Sequence, residues 1–150
     1  MTISVNRHAA RVLLIDEQDR VLLFRGGDPA APEAGTWWFT VGGGVDPGES
    51  LVAAAARELF EETGLRCDLA ELGEPVHEET SPFSFGGRDI VQSNTFFLLR
   101  IPGHDVDTGG FEQLESDSIV EHRWWHRDDL RATADSVYPR SLVELLDRVG

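Results

Sequence analysis

Gly43 to Leu65 reads GGVDPGESLVAAAARELFEETGL, a glycine-rich turn running into a segment that ends in a cluster of carboxylates. From Ser50 to Thr63 no residue breaks a helix, alanine and leucine favour one, and Gly64 stands where a left-handed C-terminal cap falls. The start is open between two readings: Asp46-Pro47-Gly48-Glu49 as a cap with its capping-box glutamate, or Ser50 capping a shorter helix. At about 100° per residue, Val52, Ala55, Ala56, Leu59, Phe60 and Thr63 share one packing arc, while Glu58, Glu61 and Glu62 share the other side. Three carboxylates one turn apart repel one another and sit near the negative end of the helix dipole. Arg57 relieves part of this through Glu61, four residues on, but one guanidinium does not neutralise three acids. The ordinary meaning of a charge run is a solvated face; the other is a hard divalent cation held by carboxylate oxygens.

The full spacing decides between them. Gly43, five residues, Glu49, seven residues, then Arg57-Glu58-Leu59-Phe60-Glu61-Glu62-Thr63-Gly64-Leu65 resembles, at every defining position, the Nudix hydrolase signature G-x5-E-x7-R-E-U-x-E-E-x-G-U, with U aliphatic. The resemblance implies a Nudix fold, an α/β/α sandwich with a mixed sheet, and one domain over residues 1–150. It implies divalent-metal-dependent hydrolysis of the pyrophosphate bond in a nucleoside diphosphate linked to another moiety. By matching position, Glu58, Glu61 and Glu62 would be ligands of Mg²⁺ or Mn²⁺, with a carbonyl at Gly43 contributing. Arg57 would orient the carboxylates, Glu49 would tie the loop to the helix through Arg57, and Gly64 would close the box. Glu58, or a glutamate beyond the box, would take the proton from water. For that further acid Glu112, Glu115 and Glu121 compete, and Glu115 is preferred because Glu121 falls within an expected strand and Glu112 lies farther from it.

The 150 residues match one ordinary domain with a sizeable core. The apolar runs are too short to span a bilayer and MTISVNRHAA has no leader character, so a cytoplasmic protein is expected. A formal net charge of -14 disfavours duplex nucleic acid and anionic membranes as partners. A small phosphorylated substrate is also anionic, and a bound cation would invert the local field where it lands. Homodimerisation is compatible with the family. Cys67 is the only cysteine, which excludes an intramolecular disulfide and reads as a small buried hydrophobe rather than a nucleophile.

Along the chain, His8 to Ile15 and Val21 to Phe24 read as a hairpin, Thr36 to Val41 as a strand leading into the glycine turn, and Arg66 to Leu72 as the start of another strand. His77 to Phe85 and Asp89 to Leu99 flank a hairpin turn, Ile119 to Trp125 is a last strand, and Ser141 to Val149 is a closing helix. Arg25, Trp38 and Phe83 are the candidates for substrate contact; because Trp37 and Trp38 point to opposite faces of a strand, at most one of them belongs to the site. Two other functions remain in view: a non-catalytic nucleotide-metabolite binding module on the same fold, and an isoprenyl diphosphate isomerase, which would need a catalytic cysteine that Cys67 supplies poorly.

Overall fold

The computed structural model describes residues 5–27, 30–85, 88–102 and 119–149. The strands are β1 (Val5–Ile15), β2 (Arg20–Gly26), β3 (Trp37–Gly44), β4 (His77–Phe85), β5 (Arg88–Arg100), β6 (Ile119–His126) and β7 (Val137–Tyr138). The helices are α1 (Leu51–Thr63), α2 (Leu69–Leu72), α3 (Arg127–Ala132) and α4 (Leu142–Val149). The strands form one mixed sheet in the order β4-β5-β1-β2-β3-β7, with β6 on β2 and a further pairing of β1 with β3. β1 runs parallel to β5, and β7 parallel to β3; the remaining pairs are antiparallel.

The key to the sheet is that β3 changes partner. Its inner half, Val41 to Gly44, lies along β1, whereas its outer half, Trp37 to Thr40, lies along β2. Gly42, at φ +138, sits next to this junction. A Cβ there would come within 2.2 Å of the Ala10 carbonyl oxygen, so only glycine lets the two backbones approach so closely.

Alternation along the strands builds two cores. Val12, Leu14, Leu22, Phe24, Val41 and Phe97 pack with Ala54, Ala55 and Leu59 of α1. On the opposite face Leu13, Ile15, Val21, Leu23, Trp38, Phe96 and Trp125 pack with Leu142, Leu145 and Leu146 of α4. At about 1.5–3 kcal/mol per buried large aliphatic or aromatic side chain, each face contributes enough to hold its helix. Helices on both faces of a mixed sheet give the α/β sandwich.

Three expectations need correction. The segment from Arg66 contains no strand; it closes into α2, where the Glu71 carboxylate accepts from the Asp68 N–H at 2.9 Å. That Asp-x-x-Glu spacing is a capping-box signal, and it outweighs the β preference of the neighbouring residues. Phe60 does not pack inward but is 38% exposed, with the Arg66 guanidinium 4.1 Å from its ring centroid. Trp38 belongs to the α4-side core at 4% exposure rather than to an open pocket. Its ring meets Trp125 edge-on at 5.0 Å, and its Nε1 donates to Asp135 at 3.1 Å. Among the described residues no helix is long and apolar enough to cross a membrane.

Candidate active site

Helix α1 begins at Leu51, with Ser50 Oγ accepting from the Ala53 N–H at 3.2 Å. This settles the start in favour of the shorter helix. Glu49 works one step earlier: its Oε1 accepts from the Asp46 N–H at 3.1 Å and folds the turn back on itself. At the far end Gly64, at φ +77, donates its N–H to the Phe60 carbonyl at 2.8 Å, the left-handed cap that its position predicts.

Arg57 is the hub. Its Nε and Nη2 donate to the two oxygens of Glu49, each at 2.9 Å, and Nη2 also donates to the Gly44 carbonyl at 2.9 Å. Nη1 donates to Glu58 at 3.0 Å and to Glu61 at 3.3 Å. All five N–H donors of a guanidinium are thereby used. The paired bond from Arg57 holds the Glu49 carboxyl below the usual carboxylate range, and Glu49 foremost, then Glu58, holds Arg57 above the usual guanidinium value. One side chain ties the glycine turn, the loop and two box acids together.

The acids are not a solvated face. Glu58 and Glu62 are 4% and 2% exposed, turned under the glycine turn. Glu62 Oε1 accepts from the Gly42 N–H at 2.9 Å. A Cβ on Gly43 would lie 2.7 Å from both Cδ and Oε1 of Glu58, so the bare Cα of Gly43 makes the space that this carboxyl fills. Glu61 is less enclosed, with its side chain 24% exposed.

Among the described residues no three Asp, Glu, His or Cys side chains stand as a preformed metal cluster. Glu58 and Glu61 lean on Arg57, and Glu62 on the Gly42 N–H. The donor set still fits a hard divalent cation: carboxylate oxygens beside a glycine cradle are the ligands such ions take. Glu58, Glu61 and Glu62 are the carboxylates that would hold it.

Of the residues expected outside the box, Arg25 and Trp38 are engaged elsewhere. Arg25 lies opposite Trp38 in β2 and is paired with Glu121 of β6 and with Thr36 Oγ1. Trp38 is four residues from Gly42, or about 13 Å at about 3.3 Å per strand residue. Phe83 lies in β4 opposite Ile90. Glu115 and Glu112 lie outside the described residues, and Glu121 faces Arg25. The structure adds one residue that sequence reasoning passed over. Arg11 of β1 donates from Nη1 to the carbonyls of Thr40 at 3.3 Å and Gly42 at 3.1 Å, and from Nε to Asn94 Oδ1 at 3.4 Å. Its signal was a charge between Ala10 and Val12 in the otherwise apolar and buried run Ala9 to Ile15.

Cys67 lies in a groove with Ala56, Arg57, Phe60, Arg66, Asp68 and Glu71. Burial first, then the charges of Glu71 and Asp68, push its thiol above the usual range, the wrong direction for a nucleophile.

The NUDIX domain model matches residues 5–146. The chain belongs to the Nudix family. It is 31% identical to an RNA pyrophosphohydrolase of Wolbachia pipientis subsp. Culex pipiens (strain wPip), over 85% of this chain and 79% of that one. It is 37% identical to an RNA pyrophosphohydrolase of Erythrobacter litoralis (strain HTCC2594), over 83% and 78%. Among solved structures, the MutT protein from Methanosarcina mazei Go1 superposes with a TM-score of 0.71 at 21% identity, over 99% of this chain and 95% of that one. The MutT NUDIX hydrolase from Burkholderia pseudomallei does so with 0.67 at 22%, over 97% and 98%. At those identities the structures show a shared Nudix fold. The chain is a Nudix pyrophosphohydrolase: it hydrolyses the pyrophosphate bond of a nucleoside diphosphate linked to another moiety, and Nudix hydrolases generally need a divalent metal.

Proposed function

We propose that this Nudix hydrolase acts with Mg²⁺ or Mn²⁺ on a small nucleoside diphosphate derivative, with Glu58, Glu61, Glu62 and the Gly43 carbonyl holding the ion. The observation that carries this is the meeting of Glu58 and Glu61 on one Arg57 nitrogen beside the Gly43 cradle. A bound divalent cation neutralises the phosphate oxygens, supports the leaving phosphate and makes water more acidic. Arg57 and Glu49 fix the direction of the carboxylates. The Gly42 N–H orients Glu62. Glu58, enclosed and held through Oε1, or Glu115 from beyond the box, accepts the proton of the attacking water. Arg25 contacts the group attached to the diphosphate, in this reading. The lone cysteine is compatible with a reducing cytoplasmic compartment, and homodimerisation is compatible with the family.

A second reading concerns the substrate alone. The relatives at 31% and 37% identity are named RNA pyrophosphohydrolases, which supports a 5′-triphosphorylated RNA end. The net charge of -14 favours the small substrate, because an RNA chain brings many phosphates to an acidic surface. A panel of nucleoside triphosphates, nucleotide sugars, dinucleoside polyphosphates and a 5′-triphosphorylated oligoribonucleotide, followed by phosphorus NMR with each metal, decides. Two phosphorus products from a small substrate support the first reading. Turnover of the oligoribonucleotide alone supports the second, and tight nucleotide binding with no turnover would mark a binding module instead.

A further inference from the structure

We infer that Arg7, lying against the bare Cα of Gly44, is a substrate-binding residue that takes a terminal phosphate on the other side of the glycine turn from the box carboxylates. The inference rests on the hydrolase reading above. Successive residues of a strand face opposite ways, and here the alternation sorts charge. A Cβ on Gly43 would meet the carboxyl of Glu58, whereas a Cβ on Gly44 would lie 2.9 Å from Arg7 Nη2 and 3.3 Å from its Nε. Glycine at position 44 therefore lets the guanidinium settle against the backbone, one residue from the space that Glu58 fills. Gly43 and Gly44 are half-buried and Arg7 is exposed, so all three are open to a ligand. A phosphate chain that starts at the box has one residue to cross before it meets Arg7.

Arg7 is also an arginine without a partner, in a chain of net charge -14 where acids are plentiful. Among the described residues it has no hydrogen bond, ion pair or ring contact, whereas each other arginine with a described side chain has one. Its surroundings are cationic. Arg57 Nη2 holds the Gly44 carbonyl at 2.9 Å, and Arg11, four residues along β1 on the same face, bonds only neutral acceptors. Burial foremost, with the charge of Arg7 adding to it against Glu62 and Glu58, pushes the Arg11 guanidinium below its usual value. Like charges gathered in this way repel in the free protein and attract an anion. A guanidinium offers paired donors that match phosphate oxygens. An exposed one gains most from the group with the most charge, which is a terminal phosphate rather than one esterified on both sides.

The test assays wild type, Arg7→Gln and Arg7→Lys with MnCl2 on two substrates and melts each protein. One substrate is a nucleoside triphosphate, or the 5′-triphosphorylated oligoribonucleotide if that is the one hydrolysed; the other is a nucleotide sugar, which has no terminal phosphate. Arg7→Gln should raise KM for the triphosphate roughly tenfold, the scale of one charge-assisted contact. Its kcat should stay close to wild type, the mark of binding lost equally from ground and transition states. KM for the nucleotide sugar should stay close to wild type. Arg7→Lys should recover part of the loss, because the charge remains while the paired donors go. The gap between wild type and Arg7→Gln should narrow as NaCl screens the exposed charge. Both variants should melt with the wild type; a clear drop would make Arg7 a structural residue and overturn the inference. An unchanged KM for the triphosphate, or equal rises on both substrates, overturns it as well. Wild type that turns over only substrates without a terminal phosphate overturns this inference and leaves the hydrolase reading standing, whereas wild type that turns over nothing in the panel overturns both.

Discussion

Arg57 grips Glu49 with two parallel hydrogen bonds, Nε to Oε2 and Nη2 to Oε1, both 2.9 Å. This pair joins the loop before α1 to the middle of the helix, eight residues later, and both side chains are mostly shielded from water. Glu49→Gln removes the charge and one of the two good acceptors. A loss of about 2 kcal/mol in urea unfolding at neutral pH is expected, the scale of a hydrogen bond to a charged group. The Glu49 carboxyl is held below its ordinary value by Arg57. Its contribution is therefore complete above about pH 4.3, the unfolded value, and is lost as pH falls through the lower folded value. Wild type and Glu49→Gln should differ at pH 7 and converge in acid. A gap that persists below the folded value would show that the charge is not the source.

Gly43→Ala separates activity from stability. The added Cβ would collide with the end of the Glu58 side chain rather than with backbone, so the carboxyl turns aside and the fold survives. A fall of about 10²-fold in kcat is expected, comparable to losing a general base, with a melting temperature close to wild type.

Gly42→Ala acts in the opposite sense. Here the clash is with the Ala10 carbonyl and the Arg11 Cα, at 2.2 and 2.7 Å, and the φ of +138 is already strained for any side chain. Neither backbone has room to move between paired strands. Destabilisation above about 4 kcal/mol is expected, in the exceptional range for a point change, read as loss of soluble folded protein or a collapsed unfolding midpoint.

Trp38→Phe tests the reassignment of that tryptophan to the core. It deletes the bond to Asp135 and part of the contact with Trp125. About 1–3 kcal/mol of stability should be lost, while KM for any hydrolysed substrate stays near the wild-type value. A large rise in KM with unchanged stability would return Trp38 to the substrate pocket.

The part of the molecule legible from sequence was the part where one residue type serves one local rule. Gly64 caps because of its φ, Glu49 just before the helix meets Arg57 two turns on along the same helix side, and alternating Val12, Leu13, Leu14 and Ile15 divide between two cores by pleat alone. What was not legible depends on partners far along the chain. The burial of Glu58 and Glu62 follows from how close Gly42 and Gly43 come to α1, which no helical wheel contains; the wheel therefore set Phe60 inside and the acids outside. Trp38, expected at the substrate, is instead the one of the two tryptophans that meets α4, because which face of β3 is covered is decided by elements far along the chain. Arg11 escaped notice because two of its three acceptors, the carbonyls of Thr40 and Gly42, carry no side-chain signature and the third, Asn94, lies far along the chain.

The change of partner along β3 has a consequence for how such a protein diversifies. Its inner half places Gly42 and Gly43 against the box carboxylates, and its outer half sends Trp38 into the α4-side core, with Gly42 beside the junction. Changes accumulating at the outer ends of β2, β3 and β6 leave the inner ladder with β1 untouched. The close approach at Gly42 is therefore insulated from the outer strand ends, which can vary in sequence without disturbing the contact between β3 and β1.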